Sequence, residues 1–420
     1  MLVEMFDIRG KLSIILSSAL LVVSPPVTST LGYMFTADCY FFAALLAVFA
    51  VYVTRKYRYG WSAGGILLAV GVGIYQAYLS LAMVVIILLM IRDILLEREC
   101  RLERKFWKLL LKNLIMGSLA LFLYSISLKF LCWLEQVSLV NHHGLGNIHF
   151  PSLQEFFQAF VQSYTDTIFY YIGSISKPGL YSIASGLALL CLIVFGGILF
   201  CSKHVYKNIL NTALLLICVL LFPCVCHIFY FVTGEVEYYA LMQFALVIPF
   251  YFLFWEYEQM EIKSKLGRWI TVISSVILVY ILVISANVVY RVQTLSYEKT
   301  YALMERVVVQ MENLPGYTEA KRIAVIGSFP DTDRYVYGAS PALAGYSDSY
   351  MVSHQKHVIS MLNEYYGIEL EGVSDSTIAQ LMNNAEIANM PIWPRAGSVT
   401  QVDDIIVLKV SEDIMYHDQE

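Results

Sequence analysis

The sequence predicts a polytopic all-α membrane domain over residues 1–290 and an extracytoplasmic soluble α/β domain over 291–420. Three observations carry this reading. Of 420 residues, 58% are hydrophobic and 15% charged, where a soluble globular domain has about 25% charged. Apolar runs long enough to cross a bilayer recur as far as residue 290 and then stop. The charge balance reverses at the same place: 19 Lys and Arg stand against 15 Asp and Glu over 1–290, but 9 stand against 18 over 291–420. This composition excludes an ordinary soluble enzyme, a disordered chain and a nucleic-acid binder.

A spanning helix needs about 20 apolar residues. The candidate spans are 12–31, 39–54, 61–92, 109–134, 181–202, 209–232, 240–256 and 269–290. Segment 61–92 is too long for one upright helix, and basic residues flank both of its ends: Arg55, Lys56 and Arg58 before it, Arg92 and Arg98 after it. Lys and Arg collect in cytoplasmic loops, so the segment must enter and return, with Gly71, Gly73, Tyr75 and Gln76 at the turnaround. Two short passes and a re-entrant hairpin fit this equally well. Counted as two passes, it brings the total to about nine crossings, with the N-terminus inside and the C-terminus outside. The inner segments then hold 17 Lys and Arg, while the outer ones before residue 291 hold Lys129 and Lys177.

The outer face carries the loops 24–38, 135–180 and 233–239. In the second, Ser152-Leu-Gln-Glu155 is a capping-box pattern followed by aromatic residues at helical spacing. It predicts an amphipathic helix, either lying on the membrane surface or packed within a folded loop. In the tail, an amphipathic helix over about 292–314 is ended by Pro315-Gly316. Arg322–Ser328 and Ile405–Val410 read as strands, and 351–366 and 376–388 as helices. Gly327-Ser328 follows a strand, as in a nucleotide-binding turn, but lacks the G-x-G-x-x-G pattern.

The chemistry-bearing residues gather at the outer edge. Asp38 stands where loop 24–38 re-enters the bilayer, and Glu235 and Glu237 stand in the tight loop 233–239 beside Tyr238-Tyr239. Glu135 ends a span, and Asp166 lies in the long loop. A carboxylate half out of water has a raised pKa and can act as a general base. The adjacent His142 and His143, with His149 nearby, lack the facing geometry of helix-spaced ligands, and His354 and His357 share a helix face in the tail but read as ordinary structural residues, so no cofactor is expected and no motif supports a divalent metal. Seven of the eight cysteines lie in apolar stretches, none forms C-x-x-C, and the tail has none. They read as small buried hydrophobes.

Several stretches resemble the bacterial Gtr-type membrane glucosyltransferases, which act in O-antigen modification and related surface-polymer decoration. They are Pro25-Pro-Val-Thr-Ser-Thr30, Tyr33-Met-Phe-Thr-Ala-Asp38, Ala43–Val53, Gly73-Ile-Tyr-Gln-Ala-Tyr-Leu79, and Met390-Pro-Ile-Trp-Pro-Arg-Ala-Gly-Ser398 with Asp403–Val410. The resemblance implies a GT-C-like enzyme of the bacterial inner membrane. Such an enzyme takes a hexose, glucose in this family, from a polyprenyl-phosphate donor and passes it to a surface glycan on the outer face. It also implies that Asp38 is catalytic, with Glu235 and Glu237 as further catalytic candidates. Tyr75, Gln76, Lys129, Lys177 and Arg291 are the substrate-binding candidates, the three cations for the leaving phosphate. Membrane lipid is the remaining partner. Family members usually begin with a further span and an acidic pair. No such pair precedes the first span here, so an N-terminally truncated member is the expectation. The competing readings are a lipid-linked-sugar flippase and an inactive family member.

Overall fold

Proline and glycine decide where the apolar helices stop. The computed structural model describes residues 1–33, 35–96, 104–137, 152–173, 180–232, 238–260, 265–315, 317, 320–329, 350–352 and 354–412. Contacts divide the chain into two compact units, with the boundary between Asn287 and Val288.

The first unit opens with α1 (Leu2–Phe6), α2 (Lys11–Val22) and α3 (Pro25–Gly32). Pro25 has no N–H to continue α2, so it starts α3 instead. There follow α4 (Ala37–Lys56), α5 (Gly60–Ile74), α6 (Tyr78–Leu96), α7 (Arg104–Glu135), α8 (Leu153–Ile172), α9 (Leu180–Ser202) and α10 (Ile209–Cys226). A 3₁₀ segment, Ala240–Val247, leads into α11 (Ile248–Gln259), and α12 (Lys265–Glu312) runs on past the boundary. Eight helices among the described residues are long and apolar enough to cross a membrane, and Gly60–Ile74 is a shorter apolar helix. The chain is thus a polytopic helical membrane protein. Segment 61–92 is broken at Tyr75–Ala77 into α5 and α6. At 15 residues, α5 is roughly 22 Å long, short of the ~30 Å hydrocarbon layer.

Two helices differ from expectation. The span 269–290 and the tail helix 292–314 form one helix, α12, because no Gly or Pro interrupts the chain between Gly267 and Pro315. The helix expected over 209–232 ends at Cys226, three residues past Pro223, and a 3₁₀ turn, Ile228–Phe231, follows.

Helices α4 and α5 form a tight antiparallel pair. A Cβ on Gly60 would lie 2.0 Å from the Val53 carbonyl oxygen, and one on Gly64 would lie 2.3 Å from Thr54 Oγ1 and 2.7 Å from the Ala50 carbonyl. Near the other end, a Cβ on Gly71 would lie 3.3 Å from the Ala43 carbonyl oxygen. Glycines at this spacing let two backbones approach where lipid supplies no hydrophobic drive. On its far side α5 packs on α7, which is buried along a narrow stripe through Phe106, Met116 and Ala120.

Charged groups meet at one end of the bundle. Asp93 of α6 accepts from Arg55 of α4 at 2.7 Å and from its neighbour Arg92 at 2.7 Å, while Arg92 also donates to the Met5 carbonyl. Glu258 of α11 accepts the N–H groups of Arg9 and Gly10, both at 2.8 Å, and so caps the start of α2. Glu4 accepts from Tyr52 and Lys56.

Helix α8 begins with the anticipated capping box. Ser152 Oγ accepts the Glu155 N–H, and the Glu155 carboxylate accepts the Ser152 N–H at 2.6 Å. Its buried stripe runs through the small residues Ala159, Ser163 and Thr167 to Tyr170 and Tyr171, and the helix packs on α9 and α10, while Phe157, Val161 and Phe169 are exposed. The helix is therefore packed on one side and apolar on the other.

The second unit holds the end of α12 and a four-stranded sheet in the order β2-β1-β4-β3, with β1 Arg322–Ile326, β2 Glu371–Gly372, β3 Val399–Val402 and β4 Ile405–Lys409. β1 lies parallel to β2 and β4, and β3 pairs antiparallel with β4. Strands β2 and β3 were not anticipated, because each is short and β2 is exposed. The helices are α13 (Gln355–Ser360), which ends in a π turn over Met361–Tyr365, α14 (Asp375–Met382) and α15 (Ala385–Ala388). Arg322 grips Asp404 with two bonds, at 2.9 and 2.6 Å. This partner holds the Asp404 carboxyl below, and the Arg322 guanidinium above, its ordinary value. Gly327 has φ +83°, and a Cβ there would meet Ser411 Oγ at 2.1 Å, so the chain turn itself accounts for this glycine.

Two stability predictions follow from these contacts. Gly64→Val should lower stability by about 1–3 kcal/mol through overpacking against α4, whereas Gly73→Val, which meets no atom within 4 Å, should leave the melting temperature unchanged. Asp93→Asn should cost about 2–3 kcal/mol, below the 3–5 of a fully buried pair, since its side chain is 21% exposed. Thermal unfolding in detergent measures both.

Candidate functional site

At the end of the bundle opposite Asp93, the end that also carries Asp38, the α4–α5 pairing brings aromatic residues together. Asp38 lies in the first turn of α4, where the helix dipole favours a carboxylate. It is exposed, and its Oδ1 accepts the Cys39 N–H at 2.8 Å. Two residues on, the Tyr40 ring stands 4.6 Å from that of Tyr75, the extended residue that ends α5. Tyr75 contacts Tyr78 at 5.0 Å, and Tyr78 contacts Phe244 at 5.4 Å. Tyr33 and Tyr239 are electrostatic neighbours of the Tyr75 hydroxyl. Burial, with a smaller contribution from Tyr40, pushes the Tyr33 hydroxyl up, which keeps it a neutral donor. The arrangement is an exposed carboxylate two residues before Tyr40, the ring that joins a group of five tyrosines. Their rings offer faces for a sugar, and their hydroxyls offer hydrogen bonds.

The other predicted site residues distribute unevenly. Gln76 donates to the Tyr124 hydroxyl at 3.1 Å, which ties the α5–α6 break to α7. Lys129 is exposed near the end of α7. Arg291 is exposed on the part of α12 that belongs to the second unit. Glu235, Glu237 and Lys177 lie outside the described residues, as do His142, His143 and His149. His354 and His357 stack at 3.9 Å, and among the described residues no group of three His, Cys, Asp or Glu is arranged to hold a metal.

A second polar cluster was only partly foreseen. Asp166 sits on α8, not in a loop. It accepts from the Tyr230 hydroxyl at 2.7 Å and from Gln162 at 2.9 Å. His227 is 1% exposed and packs against the Tyr230 and Tyr238 rings, which also meet each other at 4.8 Å. Its Nδ1 is 3.2 Å from the Pro223 carbonyl, which can only accept, so the proton is assigned to Nδ1. Nε2 has no hydrogen-bond partner among the described residues. Tyr238 and Tyr239 are consecutive, yet Tyr238 faces this cluster and Tyr239 faces the Asp38 cluster. Extended backbone produces that alternation. The sequence signal for His227 was Pro223, which marks the early end of α10. Glu256 was also missed: α11 continues to Gln259, so this carboxylate lies within the helix at 1% exposure.

Searches of curated proteins and of solved structures find no match to this chain. A scan against protein-family models does: residues 1–250 match the family described as glucosyl transferase GtrII. That region contains α1–α10, the Asp38 cluster and the Asp166 cluster. Because the match covers more than half of the 420 residues, the chain belongs to the GtrII glucosyltransferase family.

Proposed function

We propose that this protein transfers glucose from a polyprenyl-phosphate donor to a cell-surface glycan on the outer face of the bacterial inner membrane, with Asp38 as the general base. The observation that supports this most is an exposed carboxylate in the first turn of α4, at the same bundle end as the group Tyr33, Tyr40, Tyr75, Tyr78 and Tyr239, in a glucosyltransferase family member. Asp38 takes the proton from an acceptor hydroxyl as its oxygen attacks the anomeric carbon. The bond from that carbon to the phosphate oxygen breaks, and polyprenyl phosphate leaves with the electron pair. The configuration inverts, because attack and departure are on opposite faces.

The sidedness rests on charge. Arg9, Arg55, Arg92 and their neighbours gather at the bundle end away from Asp38, and Lys and Arg collect on the cytoplasmic side. Asp38 then faces outward, where no nucleotide sugar is available and a lipid-carried sugar is. The tail, an α/β domain on this reading, lies outside as well and holds the glycan.

Asp38→Asn should lower hexose transfer in membrane vesicles by ~10²–10⁴-fold, the usual worth of a general base, with protein level and membrane insertion unchanged. Full activity in that variant would remove Asp38 from the mechanism. For sidedness, a cysteine placed at Ser328 should react with an impermeant maleimide in intact cells above the wild-type background. Reaction only after lysis would reverse the proposed orientation.

A further inference from the structure

The first unit contains a cavity of about 530 Å³ between α6, α8, α9, α10 and α11. Its lining is apolar apart from a few hydroxyls and one charged residue, Glu256. The lining residues give its length and depth. On α10 it runs from Pro223 to Thr212, roughly 16 Å along the axis. Those residues lie roughly 5 and 21 Å from the Cys226 end of the helix. On α6 it runs from Leu88 to Leu95, roughly 15 to 25 Å from Tyr78. The cavity therefore begins beneath the bundle end that carries the Asp38 and Asp166 clusters and passes the middle of a ~30 Å hydrocarbon layer.

None of the cavity's lining residues belongs to either cluster, but two of them hydrogen-bond to a member or a neighbour of one. Pro223, which lines it, is the carbonyl partner of His227. Tyr171 lines it as well, and the Tyr171 hydroxyl donates to the Leu246 carbonyl, two residues after Phe244 of the Asp38 cluster. Glu256 sets the direction of an occupant. The residue is 1% exposed, and its Oε2 has no hydrogen-bond partner among the described residues. Gly196 makes room for it: a Cβ there would stand 2.9 Å from Oε1. No Lys or Arg lines the cavity, so an anionic headgroup at the Glu256 end would be buried beside an acid with no counter-charge, whereas Asp38 at the other end is exposed. The head belongs at the opposite end, and the chain tail belongs near Glu256.

We infer that this groove holds the isoprenoid chain of the lipid-linked donor, with the phosphate at the Asp38 end and the distal isoprene units near Glu256. The inference rests on the donor assignment proposed above. Length selects the occupant: an ordinary acyl chain spans one leaflet, about 15 Å, half of the hydrocarbon layer. A chain headed at the outer edge must run past the middle of the bilayer to fill this groove.

The test uses the full chain in lipid nanodiscs and a polyprenyl phosphate carrying a diazirine on its distal isoprene. Photolabel should fall on the peptides containing Gly196–Phe200 and Phe252–Glu256. Excess unlabelled polyprenyl phosphate should compete it away, and phosphatidylglycerol should not. Gly197→Phe fills the groove from a position where a Cβ meets no atom within 4 Å. It should weaken labelling about tenfold, equivalent to ~1.4 kcal/mol. Gly186→Phe, equally unobstructed on α9 but not a lining residue, should not. Labelling elsewhere, competition by phosphatidylglycerol, or equal labelling by a phospholipid diazirine probe would overturn the inference, and these wild-type measurements decide it even if Gly197→Phe fails to fold. Hexose transfer is assayed separately. Transfer without groove labelling sinks the groove alone, and groove labelling by a protein that transfers nothing from any polyprenyl-phosphate sugar sinks the donor reading alone.

Discussion

The close approach of α4 and α5 is the constraint on which the candidate site depends. Gly60, Gly64 and Gly71 remove the side chains that would hold the two backbones apart. Because the helices are antiparallel, the first turn of α4 comes level with the last turn of α5. That registration sets Tyr40 against Tyr75, at the bundle end where Asp38 opens α4. In lipid, apolar side chains gain nothing by leaving one apolar medium for another, so contact between small residues decides which helices pair. The site is thus a product of backbone packing more than of any polar attraction within it.

The opposite end is organised by a different force. Asp93 receives two arginines, Glu258 caps α2 from a helix some 250 positions away, and Glu4 gathers Tyr52 and Lys56. These groups fix the ends of α1, α2, α4, α6 and α11 relative to one another. Arg55, Arg92 and Asp93 are less exposed than Glu4 and Lys56, and both arginines pair with Asp93, which is favourable where water is scarce. One end of the first unit is therefore tied by ion pairs and the other lined by tyrosines.

How much was legible in the sequence follows from the range of the interactions. Local signals were readable: the capping box at Ser152–Glu155, the turnaround near Tyr75-Gln76, and the proline that separates α2 from α3. Asp38 was legible as an edge carboxylate, but its tyrosine surroundings were not, since Tyr40, Tyr75 and Tyr239 are far apart in the chain. Asp166 was noted without its partner, because Tyr230 is 64 positions away. Glu256 was hidden because a span boundary read from hydropathy stops at the first charge, whereas the helix itself continues to Gln259. The unbroken α12 was missed for a related reason: polarity changes near residue 290, and hydrogen-bonded helix is indifferent to that change.

Tyr238 and Tyr239 carry one further consequence. The two rings belong to different clusters yet hang from adjacent positions of a single extended strand of backbone. A shift of the backbone at this dipeptide would disturb both clusters at once: Tyr239 beside Tyr75, and Tyr238 against His227 with its hydroxyl accepting the Phe229 N–H.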